Sequence, residues 1–226
     1  QAYLGGAVMS GAEPLLVNAP QSNGFLPDFE SLDEATWKRI SVVYLCSPAN
    51  PQGAIASIDY LQKLLRLCRK HDAVLAVDEC YAEIYTGAPP PGALQAALVM
   101  DETGGKDPFH NLTVFHSLSK RSNAAGLRSG FVAGDPKLVA MVLRWRTYGG
   151  PQIPIAVQKA SVALWNEETH PIQTRDWYRR NFKVAEQILH NRFGYYTPGG
   201  GFFLWLDVGN GEEATRKLWR DAHVKV

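Results

Sequence analysis

Three short, nearly continuous apolar runs punctuate the chain: SVVYLC (41–46), AVLAVDE (73–79) and LTVFHS (112–117). Runs of this length with so few polar breaks predict parallel strands covered on both faces. Between the first two lies SIDYLQKLLRLCRKH, which predicts a helix. Ser57 stands at its cap position, Ile58, Leu61, Leu65 and Cys68 fall on one face, and the segment ends in basic residues suited to a helix C-terminus. Strand, helix and strand make one βαβ unit. A fourth apolar run, GFVAGD (130–135), leads into Asp135 and Pro136, a cap followed by a first-turn proline for a helix through Leu143. Segments 155–167 and 171–192 also read as helices. TGAPPPGAL (86–94) and DETGGKDPFHN (101–111) read as loops flanking a short helix.

Past Gly199, Gly200 and Gly201 the pattern changes. FFLWLDV reads as a strand, EEATRKLWRDA as a helix, and HVKV as the start of another strand. The expected class is α/β, a mainly parallel sheet sandwiched by helices, with a large domain over 1–180 and an incomplete, small α+β subdomain beginning at 181–226. The chain opens on Gln1 rather than methionine and stops inside an apparent strand, so it reads as a piece of something longer.

Composition narrows the function. The chain has 226 residues, a formal net charge of +1 and interleaved signs, so no basic surface argues for nucleic acid or an anionic membrane. Cys46, Cys68 and Cys80 are odd in number and lack CxxC spacing, which argues against a disulfide framework or structural zinc, and six histidines without an HxxxH pair give metal binding no support. No apolar run approaches the length of a membrane span, and residues 1–20 lack the layout of a signal peptide, so a reducing cytoplasm is the expected setting.

In open α/β sheets ligands sit beyond the carboxyl ends of the strands. There the first run is followed by SPANPQG with Asn50, the second ends at Asp78 with Tyr81 three residues on, and the third delivers Ser117, Ser119 and Lys120. Taken singly these are ordinary: Lys120 as a surface lysine, Asn50 as a turn starter, Asp78 as a strand end. Their joint order is the signal. An amide, a carboxylate, a phenol, hydroxyls, a lysine and an arginine in one place suit pyridoxal phosphate. Its aldehyde needs a lysine, and its ring nitrogen needs a carboxylate to stay protonated. Asn50 and Tyr81 would stabilise the ring oxygen, while Ser117 and the guanidinium of Arg128 would take the phosphate. The small residues Ala124, Ala125 and Gly126 would let the loop fold back between Lys120 and Arg128. Asp78 and Glu79 cannot flank one bond as a hydrolytic pair, because strand neighbours point to opposite faces. The glycine run precedes a strand rather than a helix, so it reads as a turn and not as a phosphate cradle.

These motifs resemble those of the fold-type I pyridoxal-phosphate aminotransferases of class I/II: NPQG, DECY and SLSKRSNAAGLRSGFVAGD occur in the family's order with sensible intervals. The resemblance implies that Lys120 holds the cofactor as an imine and is catalytic together with Asp78 and Tyr81. It further implies that Asp78 pairs with the ring nitrogen, that Asn50 and Tyr81 contact the ring oxygen, and that Ser117 and Arg128 hold the phosphate. HSLSKRSNAAGLRSGFVAGD, RTYGGPQIPIAVQKAS and GFLPDF narrow the likeness to bacterial succinyldiaminopimelate aminotransferases. That implies amino transfer between N-succinyl-LL-2,6-diaminopimelate and 2-oxoglutarate in lysine biosynthesis, and a homodimer in the full-length form. The family's glycine-containing phosphate loop and ring-stacking aromatic would precede Gln1, and its carboxylate-binding arginine would follow Val226. These residues alone are therefore expected to transaminate poorly or not at all. A β-lyase on the same cofactor, or an aminotransferase-like regulatory module without enzymatic activity, remain the competing readings. Arg144, Arg146 and Tyr148 have no assigned role.

Overall fold

A parallel ladder joins the three apolar runs. In the computed structural model, which describes residues 1–100, 107–150 and 152–226, strands β1 (Val42–Cys46), β2 (Val74–Asp78), β3 (Leu112–Ser117) and β4 (Gly130–Gly134) form one sheet in the order β1-β2-β3-β4. The first three strands are parallel, with Cys46 opposite Asp78 and Asp78 opposite Phe115, while β4 returns antiparallel with Ser117 opposite Gly130. The helices in chain order are α1 (Ala2–Met9), α2 (Glu34–Trp37), α3 (Ile58–Lys70), α4 (Ala93–Leu98), α5 (Leu118–Arg121), α6 (Pro136–Gly149), α7 (Ile155–Trp165), α8 (Thr169–Leu189) and α9 (Gly211–Ala222).

Helix α3 begins where Ser57 predicts it: the Ser57 hydroxyl accepts the Tyr60 N–H at 3.1 Å, satisfying one of the donors a helix start leaves unpaired. Its buried face is Leu61, Leu64, Leu65 and Cys68, with Ile58 only partly covered. These residues pack with Ala93, Ala96 and Ala97 of α4 on one face of the sheet, against Val43, Leu45, Leu75, Val77, Leu112 and Val114, and Trp37 closes the same cluster. The double-sided cover expected of the strands is met in the middle of β2 and at the start of β3. It fails in β1, where Val42 and Tyr44 are each 44% exposed, because α3 and α4 both lie on the Val43 and Leu45 side.

Asp135 opens α6 by accepting the Lys137 N–H at 2.8 Å with one oxygen and takes the Asn111 N–H at 3.0 Å with the other, so it ties the helix start to the entry of β3. The helix runs past Leu143 to Gly149, since nothing in RWRTY breaks it before the glycine pair. Helix α8 starts at Thr169, where Glu167 accepts the Thr169 and His170 N–H groups. It continues without a break across residue 180.

FFLWLDV does not form a strand. Around it the structure has one isolated bridge, between Tyr85 and Gly200, because a strand needs a ladder partner and none lies alongside among the described residues. Residues 223–226 are likewise outside any strand. The helix between them forms as α9, capped by Asn210, which accepts the Glu212 and Glu213 N–H groups at 3.1 Å each. The short helix expected between the two loops is α4. Part of the loop expected over 101–111, residues 101–106, lies outside the described residues.

Leu65, 1% exposed in the cluster under α3, should be costly to truncate. Leu65→Ala is expected to lower stability by about 2–5 kcal/mol, read as a shift in a urea denaturation midpoint at constant slope.

Candidate active site

The register of the parallel strands brings their C-terminal ends level, and the loops that follow carry the polar residues. After β1 the chain turns through residues 47–56. The Ser47 hydroxyl accepts the Ala56 N–H at 3.0 Å, and the Ala49 and Ala54 backbones bond at 2.8 Å, which closes the loop and presents Asn50 at its tip. After β2 a tight turn over Glu79–Ala82 places Tyr81 inward, 6% exposed. The Asn50 amide Nδ2 donates to the Tyr81 hydroxyl at 3.1 Å across a separation of 31 residues. With that oxygen already accepting, the phenolic hydrogen is left to be given to another acceptor. Burial first, then the Cys46 thiol and the Asp78 charge, push the Tyr81 phenol up to about 12, so it remains a donor at neutral pH.

Asp78 and Glu79 go separate ways, as strand neighbours must. The Glu79 carboxylate is buried, accepts the Ala93 N–H at the start of α4 at 2.6 Å and pairs with His116 Nε2 at 2.9 Å, a structural role. Asp78 faces the other side, where Oδ1 accepts the Cys80 N–H at 3.0 Å and Oδ2 accepts the Tyr3 hydroxyl at 2.5 Å. A carboxylate has about four lone-pair directions, so each oxygen keeps capacity for a further donor. Burial and the Asp78 charge push the Cys46 thiol up to about 11.

After β3, Ser117 caps α5 by accepting the Ser119 N–H at 3.0 Å, and the two serine hydroxyls lie 2.8 Å apart. Lys120 follows in the same turn, with Nζ 5.8 Å from the centre of the Tyr81 ring and 5.0 Å from that of Phe202. Its neighbour Arg121 is buried and anchors the turn to the end of α7 through the Leu164 carbonyl at 2.7 Å and the Glu167 carbonyl at 3.2 Å, with an ion pair to Glu168. The small residues behave as expected: Ala125–Leu127 form a tight helical turn and Arg128 takes a left-handed backbone, which brings Ser129 back so that its carbonyl accepts from Ser117 at 3.3 Å. The Arg128 guanidinium is exposed and bonds the Ala125 carbonyl at 3.0 Å.

The structure thus brings Asn50, Tyr81 and Lys120 together, sets Asp78 beside them and Ser117 at the start of the lysine turn, and directs the Arg128 side chain onto its own loop. The donor set fits pyridoxal phosphate: an amine for the aldehyde, an amide and phenol for the ring oxygen, a carboxylate for the ring nitrogen, and paired hydroxyls for the phosphate. Among the described residues no group of three or more His, Cys, Asp or Glu is arranged to hold a metal ion.

Two contacts were not legible in the sequence. Tyr3 reaches Asp78 from α1, and nothing local marks it. Phe202 arrives because the Gly199–Gly201 segment docks on the Asn50 loop: Gly200 N–H donates to Gly53 O at 3.0 Å and Gly201 N–H to Ile84 O at 2.8 Å. A Cβ on Gly53 would meet Gly200 O at 2.4 Å and one on Gly200 would meet Pro48 Cβ at 2.5 Å, so the glycines serve backbone contact. The glycine run, read as a plain turn, was the available signal.

The family profile described as aminotransferase class I and II matches residues 1–226. The chain is similar to the crystal structure of an aminotransferase from Neisseria meningitidis Z2491, with a TM-score of 0.89 and 40% identity over 99% of this chain and 56% of that one. Among curated proteins it is 33% identical to the LL-diaminopimelate aminotransferase of Aquifex aeolicus, over 92% of this chain and 52% of the relative. It is 37% identical to the 4-dedimethylamino-4-oxo-anhydrotetracycline transaminase of Streptomyces rimosus, over 75% of this chain and 46% of the relative. The chain therefore spans about half the length of the curated relatives it matches.

Two measurements probe this geometry. Gly53→Ala adds a methyl group where the backbone has a φ of +72° and no space, and is expected to cost more than about 1 kcal/mol in chemical denaturation. Because the folded Tyr81 phenol titrates near 12 against an ordinary 10.0, the folded state holds more protons between those values. Its stabilisation is complete below the lower value and is lost as pH rises through the higher one. Tyr81→Phe should reduce the drop in the urea midpoint between about pH 9 and about pH 12.

Proposed function

Because the chain belongs to the class I and II aminotransferases, a pyridoxal-phosphate-dependent family, we propose that the protein transfers an amino group between an amino acid and a 2-oxo acid. The observation that carries this reading is the meeting of three separate loops around one point. The Asn50 amide lies 3.1 Å from the Tyr81 hydroxyl, and the Lys120 ammonium lies 5.8 Å from the centre of the same tyrosine ring.

The bound cofactor supplies an electron sink for the charge left when the bonds at the substrate α-carbon are remade. The rest falls to the residues of the chain. Lys120 Nζ would hold the aldehyde and, once freed by the incoming amine, would carry the proton between the substrate α-carbon and the cofactor carbon that bears the nitrogen. Asp78 would accept the hydrogen bond of the ring nitrogen and so favour its protonated form. Tyr81 would donate its free phenolic hydrogen to the ring oxygen, and the Asn50 amide, which orients that phenol, would give its second hydrogen to the same oxygen. Ser117 and Arg128 would take the phosphate. Phe202 and Tyr81 present ring faces to the Lys120 ammonium, a contact that is favourable only while the amine is charged.

For the substrate, we propose amino transfer between N-succinyl-LL-2,6-diaminopimelate and 2-oxoglutarate, in lysine biosynthesis. The motifs around Lys120 support this choice, and the likeness to the LL-diaminopimelate aminotransferase of Aquifex aeolicus supports the diaminopimelate skeleton without its succinyl group. The full-length protein is proposed to act as a cytoplasmic homodimer, with residues 1–180 in the cofactor domain and 181–226 opening the smaller one. No helix among the described residues is long and apolar enough to cross a membrane.

The full-length protein loaded with pyridoxal phosphate is expected to show an imine absorbance band that Lys120→Ala abolishes; a band retained in that variant removes Lys120 from the role. Assayed against 2-oxoglutarate, N-succinyl-LL-2,6-diaminopimelate should turn over faster than LL-2,6-diaminopimelate, and the reverse order overturns the substrate assignment.

A further inference from the structure

We propose that Tyr3 is a positioning residue for the cofactor carboxylate, holding Asp78 so that its remaining lone pairs face the ring nitrogen of bound pyridoxal phosphate. The proposal rests on the cofactor reading above and adds a residue that none of the NPQG, DECY and SLSKR motifs contains.

The contact spans 75 residues: the Tyr3 hydroxyl donates to Asp78 Oδ2 at 2.5 Å. It is also held from behind. The Tyr3 ring lies flat on the Tyr44 ring, with centres 4.9 Å apart and planes within 4°. Tyr44 is two residues before Cys46 on β1, and Cys46 stands opposite Asp78 in the parallel ladder. Residues two apart on a strand share a face, and residues opposite in register share it too. The ring that supports Tyr3 and the carboxylate that Tyr3 reaches are therefore fixed to one rigid surface. This sets the hydroxyl position without relying on the loop turns.

Cys80 also holds the carboxylate in place. The Cys80 N–H takes Oδ1 at 3.0 Å from a turn two residues away in the chain. With Oδ2 also engaged, the carboxyl group is pinned at both oxygens and cannot rotate. Burial, and then the bond to Asp78, push the Tyr3 phenol far above its ordinary range, so it stays a donor throughout. A hydroxyl donor beside this carboxylate would favour a proton on the ring nitrogen of the bound cofactor. Tyr3 would thereby preserve the electron-accepting state of the ring without touching substrate.

The test is Tyr3→Phe in the full-length protein, which keeps the ring on Tyr44 and deletes only the hydroxyl. The protein is loaded with pyridoxal phosphate labelled with nitrogen-15 in the ring. The labelled resonance is expected to move toward the unprotonated pyridine position, and the cofactor dissociation constant to rise by about ten-fold. A resonance that stays at the wild-type position overturns the proposal, whatever happens to the thermal midpoint, because a packing role alone would leave the ring protonation unchanged. The cofactor reading is checked separately by the imine band of the wild type. A wild type without that band removes both readings, whereas a band with an unmoved resonance in Tyr3→Phe removes the role of Tyr3 alone.

Discussion

The parallel pairing of Cys46 with Asp78 and of Asp78 with Phe115 is the constraint from which the site follows. It makes β1, β2 and β3 end at nearly the same level, so the chain must turn at that level three times. Each turn then carries a different chemical group: Asn50, Tyr81 and Lys120. A one-residue slip would exchange the faces of every side chain, sending Asp78 toward the α3 core and Glu79 out of it. The buried Glu79, held by the Ala93 N–H and by His116, opposes that slip because its carboxylate would lose both partners.

Around this frame the site is braced from three directions. Arg121, one residue beyond Lys120, is buried and bonds carbonyl groups at the end of α7, which holds the lysine turn against the sheet. From the far end of the chain, the Gly199–Gly201 segment approaches the Asn50 loop closely enough that backbone meets backbone, and this delivers Phe202 to Lys120. Helix α8 reinforces that approach. Arg175 stacks on Tyr85 at 4.1 Å and bonds the Glu83 carbonyl, and Arg179 bonds the Tyr85 carbonyl, so residues 83–87 are clamped beneath the glycine run. Packing and chemistry therefore share these residues.

The pattern of apolar runs made the sheet legible because a buried strand must be apolar for its whole length, and the ends of those runs located the polar groups. Ser57 and Asp135 marked helix starts correctly because a cap is a local bond, closed within three residues. FFLWLDV failed for the opposite reason: its composition suits a strand, yet a strand forms only beside a partner. The extent of cover on β1 was misjudged on similar grounds, since apolar residues at 42 and 44 report what a strand can bury and not what lies against it.

Residue types and their order were enough to determine the α/β class, the three parallel strands and the family to which the chain belongs, because each depends on local periodicity or on motifs of a few residues. The tertiary structure alone decided that Tyr3 engages Asp78, that Phe202 faces Lys120, that Arg121 is an anchor and that Arg128 rests on Ala125. Those contacts join positions distant along the chain or depend on side-chain direction, and neither property is written in the spacing of neighbouring residues.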